Sequence, residues 1–580
     1  MFALIRRLIS RPGIFLSMLG ASLVLNILAL AQPLFVIQVL NRYVAHGIDA
    51  TLATLSAGAL IAVILEFGFR QVRMRFAHVI AVKPDEVMSL ANFKTMVTAK
   101  LAGMEQVPAG LRHQFLGGAE VVAQAFSGPN IATLLDLPFA LLYLGVLYLL
   151  NPQLAAIAAI FAAVVLIVSI AGTWGVSAAT AKAIKTSGEG GRHIGSIINA
   201  AESVRVFNAR PFMVHVWQAH ARRAQALARK ITGKRGFIQS LTQTATAAQG
   251  IAIIAMGAVL VVRQELDVGA LIGANILAAR ALATVSRYAA LGEVLGKARQ
   301  QLQLAKEIHR LPAELVTGAS LGDYHGRINF KDVAFVYPGA TTPLFETLDL
   351  ELQPGSVLLV SGTNGAGKTT FCKLLAGLIE PVRGEVLVDG VDLRQIVPEW
   401  WHQQVLYLPQ EPTFLNATFR ENLSTLKPEI EHDGLNRAIE RAALKPFISE
   451  SKGGFDTIIV DNGRTLSLGI RRRLALARAL VSDGRLVIFD EPTESMDEQG
   501  RQAIYNVLND MLKEGRTIVV CSSDPNIIQA AHFMLDLDQK PVPRLIANPA
   551  YEEALKAHAS SHAAQAGAAP MAPNAQGEPA

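Results

Sequence analysis

Two short groups of residues in this chain could act on a nucleotide phosphate. Gly362-Thr363-Asn364-Gly365-Ala366-Gly367-Lys368-Thr369 fits the phosphate-loop pattern G-x-x-x-x-G-K-[ST] at every fixed position, and Thr370 follows directly. Glycines at these points let backbone N–H groups close around phosphate oxygens, and a helix starting here adds its positive N-terminal end. Lys368 can then reach the β- and γ-phosphates, while the Thr369 hydroxyl can hold Mg2+. The second group, Asp490-Glu491, closes the apolar run Leu486-Val487-Ile488-Phe489. Asp490 is placed to bind Mg2+ through water, and Glu491 to polarise an attacking water.

The elements that must position these groups are legible on either side. Val357-Leu358-Leu359-Val360 reads as a buried strand leading into the loop, and Thr370 to Leu378 as the helix leading out. An α/β domain is therefore expected over 327–546, behind a polar linker at 301–326. The tail, 547–580, is Ala-, Ser-, Pro- and Gly-rich from about His558 and is expected to be mostly disordered. Both cysteines, Cys372 and Cys521, fall in this half. Cys372 reads as a small buried core residue rather than a redox group, and no disulfide framework is implied.

The rest of the chain does not have the composition of a soluble protein. Of 580 residues, 51% are hydrophobic and only 17% charged, and the mean hydropathy is +0.33. Six apolar stretches, at about 14–40, 52–69, 131–150, 154–176, 241–262 and 270–291, approach or exceed the ~20 residues of a membrane-crossing helix. They form three hairpins, turning at His46-Gly47-Ile48-Asp49, Asn151-Pro152 and Gln264-Glu265-Leu266-Asp267; Arg280 and Arg287 interrupt the sixth stretch. The first stretch is too long for a signal-peptide core and lacks an A-x-A-like exit, so a span is expected and not a cleaved leader. The long segments between hairpins are basic, with Arg70, Arg73, Arg75, Lys83 and Lys94 in one and Arg222, Arg223, Arg229, Lys230, Lys234 and Arg235 in the other. The short turns carry few basic residues. The positive-inside rule thus puts both termini, the long loops and the α/β domain in the cytoplasm. The net charge of +6 is absorbed by this topology, and no nucleic-acid partner is expected. Asn26, Gln32, Gln38, Glu66, Asp136 and Arg280 are polar groups within or beside the spans, where polarity is costly. A central pathway, a helix-end cap or a snorkelling side chain would each account for them.

Four stretches carry a resemblance to a known family: the phosphate loop, Leu408-Pro409-Gln410, Leu466-Ser467-Leu468-Gly469-Ile470-Arg471-Arg472-Arg473 and Asp490-Glu491-Pro492-Thr493. Together they resemble the ATP-binding cassette transporters. Six spans before one cassette look like the half-transporter form of the exporters. That implies a membrane α-helical domain of six transmembrane helices over 1–300, followed by an α/β P-loop cassette. Gln32 to Arg42, Leu135-Asp136-Leu137-Pro138-Phe139-Ala140 and Ala274 to Leu282 resemble the ATPase–permease of type I protein secretion systems, of the protease-secretion type. No N-terminal cysteine-peptidase domain is expected, because the first span begins almost at once. The resemblance implies ATP and Mg2+ as cofactors, and ATP hydrolysis coupled to export. The implied partners are a second half-transporter (the same chain or another), a membrane-fusion protein, an outer-membrane channel, the exported substrate and membrane lipid. It also implies that Tyr337 stacks on adenine and that Gln410 senses the γ-phosphate and Mg2+. Ser467 and Gly469 would touch the γ-phosphate bound by the opposite cassette, and Asp497 would bridge the two sites. Segments near Gly117-Gly118-Ala119-Glu120 and Ala200-Ala201-Glu202-Ser203 are candidate coupling elements.

The chain departs from the family pattern twice. Where the family reads L-S-G-G-Q, Leu468 and Ile470 replace a glycine and the glutamine, leaving Ser467 and Gly469. Ser523 stands where the family has a histidine after the next strand, Thr517-Ile518-Val519-Val520-Cys521. A hydroxyl can donate a hydrogen bond but has no titratable ring, so the hydrolysis rate is in question and nucleotide binding is not. The leading expectation is a dimeric exporter of polypeptides in a bacterial inner membrane. A lipid, glycan or small-molecule cargo is the second, and an ATP-sensing membrane regulator with weak hydrolysis the third.

Overall fold

The computed structural model describes residues 11–44 and 47–549; the expected turn residue His46 and most of the expected disordered tail lie outside them. The chain divides into two compact units, one of residues 1–99 and 103–312, the other of 100–102 and 313–580.

The first unit is all helical, as the hydropathy requires. Among the described residues, six helices are long and apolar enough to cross a membrane: Pro12–Tyr43, Asp49–Thr98, Gly128–Leu150, Pro152–Gly172, Arg210–Val262 and Val268–Ile308. They coincide with the six expected spans, and Arg280 does not break the sixth. The second hairpin turns because Asn151 caps the next helix, its side-chain oxygen accepting from the N–H groups of Gln153 (2.9 Å) and Leu154 (3.2 Å), with Pro152 at the first helical position. The first and sixth spans approach closely over small residues: a Cβ on Gly273 would lie 2.4 Å from Ile37, and one on Gly269 2.3 Å from Asn41. Asn41 also donates to Asp267 (3.2 Å) and accepts from the Gly269 N–H (3.1 Å).

Several polar groups within the spans pair with one another. Arg73 of the second span donates to Asp136 at 2.5 Å and to the Ser22 hydroxyl at 3.2 Å. Asn26 donates to Asp136 at 3.3 Å, and the Tyr143 hydroxyl to Asn26 at 2.8 Å. Ser22, Asn26, Arg73 and Asp136 are all buried, so Asp136 is neither a helix-end cap nor a snorkelling side chain. Glu66 pairs with Arg70 at 2.6 Å, and Arg280 donates to Gln32 at 2.6 Å. Of the two candidate coupling segments, Gly117–Glu120 lies inside the helix Ala109–Ala125, with Gly118 packed close to Gln301. Ala200–Ser203 instead opens the short helix Ala201–Val206, followed by the exposed Phe207.

The second unit has two sheets. One is antiparallel, in the order β2-β1-β4-β5, from β1 (Ile328–Phe335), β2 (Phe345–Leu352), β4 (Arg383–Val388) and β5 (Val391–Asp392). The other runs β10-β9-β3-β8-β7-β6, from β3 (Val357–Ser361), β6 (Val405–Leu408), β7 (Leu486–Asp490), β8 (Thr517–Cys521), β9 (Phe533–Asp536) and β10 (Arg544–Ala547). All its neighbours are parallel except the β9–β10 pair. β3, β7 and β8 are almost wholly buried, which is why they read as continuous apolar runs. The phosphate-loop helix Lys368–Leu375 is wedged between the sheets, with Phe371 stacked on Phe330 of β1 at 5.1 Å.

Candidate nucleotide site

The phosphate loop follows the carboxyl end of β3, Asp490 and Glu491 stand at that of β7, and Ser523 lies just past that of β8, where an open parallel sheet places its ligand crevice. β3 ends at Ser361, and the chain then turns through Gly362 (φ +153°), Gly365 (φ +87°) and Gly367 (φ +115°) before the helix begins at Lys368. Side chains are excluded at the first and last of these. A Cβ would come within 2.8 Å of Ala366 at Gly362, and within 2.8 Å of Leu344 at Gly367. Lys368 folds back over the loop, donating to the Gly362 carbonyl at 2.9 Å, and lies 3.1 Å from the Glu491 carboxylate. The loop is anchored by Asp538, just beyond β9, whose carboxylate accepts from the Thr363 N–H at 2.9 Å and the Thr363 hydroxyl at 2.7 Å. Lys540 donates to the Ala366 carbonyl at 2.8 Å.

Asp490 ends β7, opposite Cys521 of β8 in the parallel register. It is 1% exposed, and among the described residues neither carboxylate oxygen accepts a hydrogen bond of ordinary geometry. Desolvation pushes its carboxyl above the ordinary range and the Glu491 charge adds to this, while Thr369, Lys368 and Lys373 work against it. A buried carboxylate with unmet acceptors beside the Thr369 hydroxyl suits a hard, oxygen-preferring cation, so these residues fit Mg2+. Glu491 follows at φ +48°, its N–H donated to the Cys521 carbonyl at 2.9 Å, which turns its side chain back toward Lys368.

Gln410 donates to Glu494 at 3.3 Å, and Arg472 joins the same carboxylate at 3.1 Å. Hydrogen bonds from Gln410 and Arg472 hold the Glu494 carboxyl below the usual range. Tyr337 is 45% exposed, with its ring edge-on to Phe335 and its hydroxyl 2.7 Å from that of Thr370. Ser467 caps the helix Leu468–Leu480 by accepting from the Ile470 N–H at 3.3 Å. Among the described residues, no hydrogen bond or ion pair ties Ser467 to the phosphate loop of its own chain. Asp497 caps the helix Glu498–Lys513 and pairs with Arg473, whose hydrogen bond holds its carboxyl below the usual range. Ser523 is exposed at the end of β8, between the buried Ser522 and Asp524, which accepts from the Tyr505 hydroxyl at 2.6 Å.

The sequence reasoning missed Asp538, Glu494, Arg472 and Lys540. Arg472 sits inside a quoted motif and Glu494 directly after another, and their pairing is a contact across 22 positions. Asp538 lies 175 positions from Thr363 with no pattern around it.

Comparison with known proteins agrees with this layout. Residues 345–494 match the family model described as ABC transporter, and residues 15–284 that of the ABC transporter transmembrane region. The chain is 27% identical over 519 residues to the type I secretion system ATP-binding protein PrsD of Rhizobium meliloti (strain 1021), covering 90% of this chain and 89% of that protein. It is 25% identical over 528 residues to the leukotoxin export ATP-binding protein LtxB of Aggregatibacter actinomycetemcomitans, covering 91% and 74%. It is also 25% identical over 539 residues to the alpha-hemolysin translocation ATP-binding protein HlyB of Escherichia coli, covering 91% and 74%. A solved structure of a bacterial Atm1-family ABC exporter with ATP bound shares the fold, with a TM-score of 0.80 at 21% identity over 98% of this chain and 99% of that one.

Proposed function

The chain is an ABC transporter, carrying the transmembrane region and the ATP-binding domain in one polypeptide, and on that premise we propose that it is the ATPase–permease of a type I secretion system, exporting a polypeptide across the inner membrane. The observation that carries the cargo class is the similarity, along about nine-tenths of the chain, to PrsD, LtxB and HlyB. A membrane-fusion protein and an outer-membrane channel are the partners this reading requires. Both termini and the cassette face the cytoplasm, supported by the basic segments between hairpins.

The working unit is a dimer. Each nucleotide site takes the phosphate loop of one copy and Ser467 and Gly469 of the other, with Asp497 between the sites. The accessible Ser467 cap, unattached to its own loop, supports this arrangement. ATP enters with its phosphates on the loop N–H groups of 362–370 and on Lys368, which exchanges Glu491 for phosphate oxygens. Mg2+, when bound, neutralises charge across the β- and γ-phosphates, with Thr369 and Asp490 to hold it and Gln410 beside it. Glu491, released from Lys368, orients the attacking water. The Tyr337 ring offers its exposed face to adenine.

Ser523 favours a second reading, an ATP-sensing regulator that turns over slowly. Losing one transition-state contact costs about 10²–10³ in rate, and a homodimer would carry the serine in both sites. Ser523→His should raise turnover by about that factor with little change in ATP affinity; a parent already fast, and unimproved by Ser523→His, removes the case for a sensor. For the cargo, the culture medium of cells carrying Lys368→Ala should lack specific polypeptides that the parent exports, and a membrane-fusion protein should co-purify with the parent. An unchanged set of exported polypeptides, with a lipid or small molecule retained instead, overturns the polypeptide cargo.

A further inference from the structure

Cys372 and Cys521 are both fully buried, and they meet. Cys372 lies on the phosphate-loop helix, and Cys521 ends β8, register-paired with Asp490 on β7 and with Val360 on β3. Their Sγ atoms are 3.3 Å apart, and one carboxylate oxygen of Asp490 completes a group whose donor atoms all lie within 4.8 Å of one another. Packing two small side chains behind a loop needs no carboxylate. This one has unmet acceptors on both oxygens at 1% exposure, and it shares its space with the two thiols.

We infer that Cys372, Cys521 and Asp490 form a site for one thiophilic divalent cation of the Zn2+ and Cd2+ class, directly behind the phosphate loop. The donor set is two sulfurs and one carboxylate oxygen, which borderline and soft cations take and Mg2+ does not. A tetrahedral Zn2+ with ~2.3 Å bonds to sulfur sets two thiolates ~3.8 Å apart. The pair therefore has to spread by only about 0.5 Å from its present separation to reach that geometry. Binding converts each thiol to a thiolate and releases its proton to solvent, with no change of oxidation state. The cation enters by the mouth that serves nucleotide, because Asp490 is common to both sites. Once held, it fixes the phosphate-loop helix to β7 and β8 and withdraws Asp490 from Mg2+, so it opposes turnover. The binding claim rests on geometry alone; only this inhibition rests on the proposed ATPase.

The test uses the full-length chain, reduced, freed of metal and nucleotide, and titrated with Cd2+. These are the only two cysteines in 580 residues, so a thiolate-to-cadmium charge-transfer absorption can come from no other thiols. One Cd2+ per chain should bind with that absorption. Cys372→Ala and Cys521→Ala should each lose the band or weaken binding at least tenfold, and Asp490→Asn should keep the band with lower affinity. X-ray absorption at the cadmium edge of the parent should count two sulfurs and the remainder oxygen, a reading that needs no variant to fold. Absence of the band, fewer than two sulfurs, or alanine variants that bind as tightly as the parent overturn the site. If Cd2+ binds so but leaves Mg-dependent ATPase activity untouched, the site stands and its opposition to turnover falls.

Discussion

Glu491 sits in the left-handed region at φ +48°, which costs a non-glycine residue on the order of 1–3 kcal/mol and is kept where a side chain must be aimed. What it is aimed at is Lys368, 3.1 Å away. That pairing makes Glu491→Gln informative. With no carboxylate competing for Lys368, ATP should bind at least as tightly as in the parent, while turnover falls by about 10²–10⁴ with the loss of the general base. Equilibrium binding and phosphate release measured on one preparation separate the two effects, and undiminished turnover removes Glu491 from that role. Asp490 makes a different case. Its carboxyl is pushed up by burial, so the folded chain favours its protonated form, and stability is lost as pH rises through the folded value. Asp490→Asn should therefore stabilise the nucleotide-free chain at neutral pH by about 1 kcal/mol, seen as a higher unfolding temperature, with the gain vanishing toward acid pH. The same variant should weaken Mg-dependent ATP binding. A neutral or lower unfolding temperature at pH 7 would show that the unmet oxygens carry no penalty.

At the scale of elements, the buried pair of Arg73 and Asp136 joins the second span to the third, with side chains 7% and 9% exposed. Removing one partner strands a charge, so Arg73→Leu or Asp136→Leu alone should destabilise the detergent-purified protein by about 3–5 kcal/mol. The double variant should recover most of that. Additive losses in thermal unfolding would mean that the pair is not the unit holding these helices. Such a contact could not be read in advance. Hydropathy located all six spans because a bilayer demands about 20 apolar residues in a row, but it says nothing about which polar groups meet across 63 positions. The same limit held in the cassette. The phosphate loop and β7 were legible because their chemistry fixes residue types at fixed spacing. The antiparallel sheet of β1, β2, β4 and β5 alternates like many strands and has no such constraint, and Asp538 reaches Thr363 only through the fold. Gly117–Glu120 lies on a helix with Gly118 packed against Gln301, a contact that the small residues allow but do not announce.

For the molecule as a whole, the hairpin arrangement fixes which turns share a side. Single cysteines placed at Asn151 or Gln264, in a background lacking Cys372 and Cys521, should react with a membrane-impermeant maleimide added outside the inner membrane, and Arg222→Cys should not. Outside labelling of Arg222→Cys would invert the topology. The three longest helices run well past the ~30 Å core of a bilayer: Asp49–Thr98 with 50 residues, Pro152–Asn199 with 48 and Arg210–Val262 with 53. At ~1.5 Å per residue the last is about 80 Å long, so a tilt of about 5° at one end displaces the other by about 7 Å with every rung of its backbone ladder intact. Mechanically these are lever arms, with gain set by length rather than by any chemical group. Pro84 interrupts the ladder of the second span, giving that arm a compliant joint, whereas the prolines of the other two sit only in their first turns.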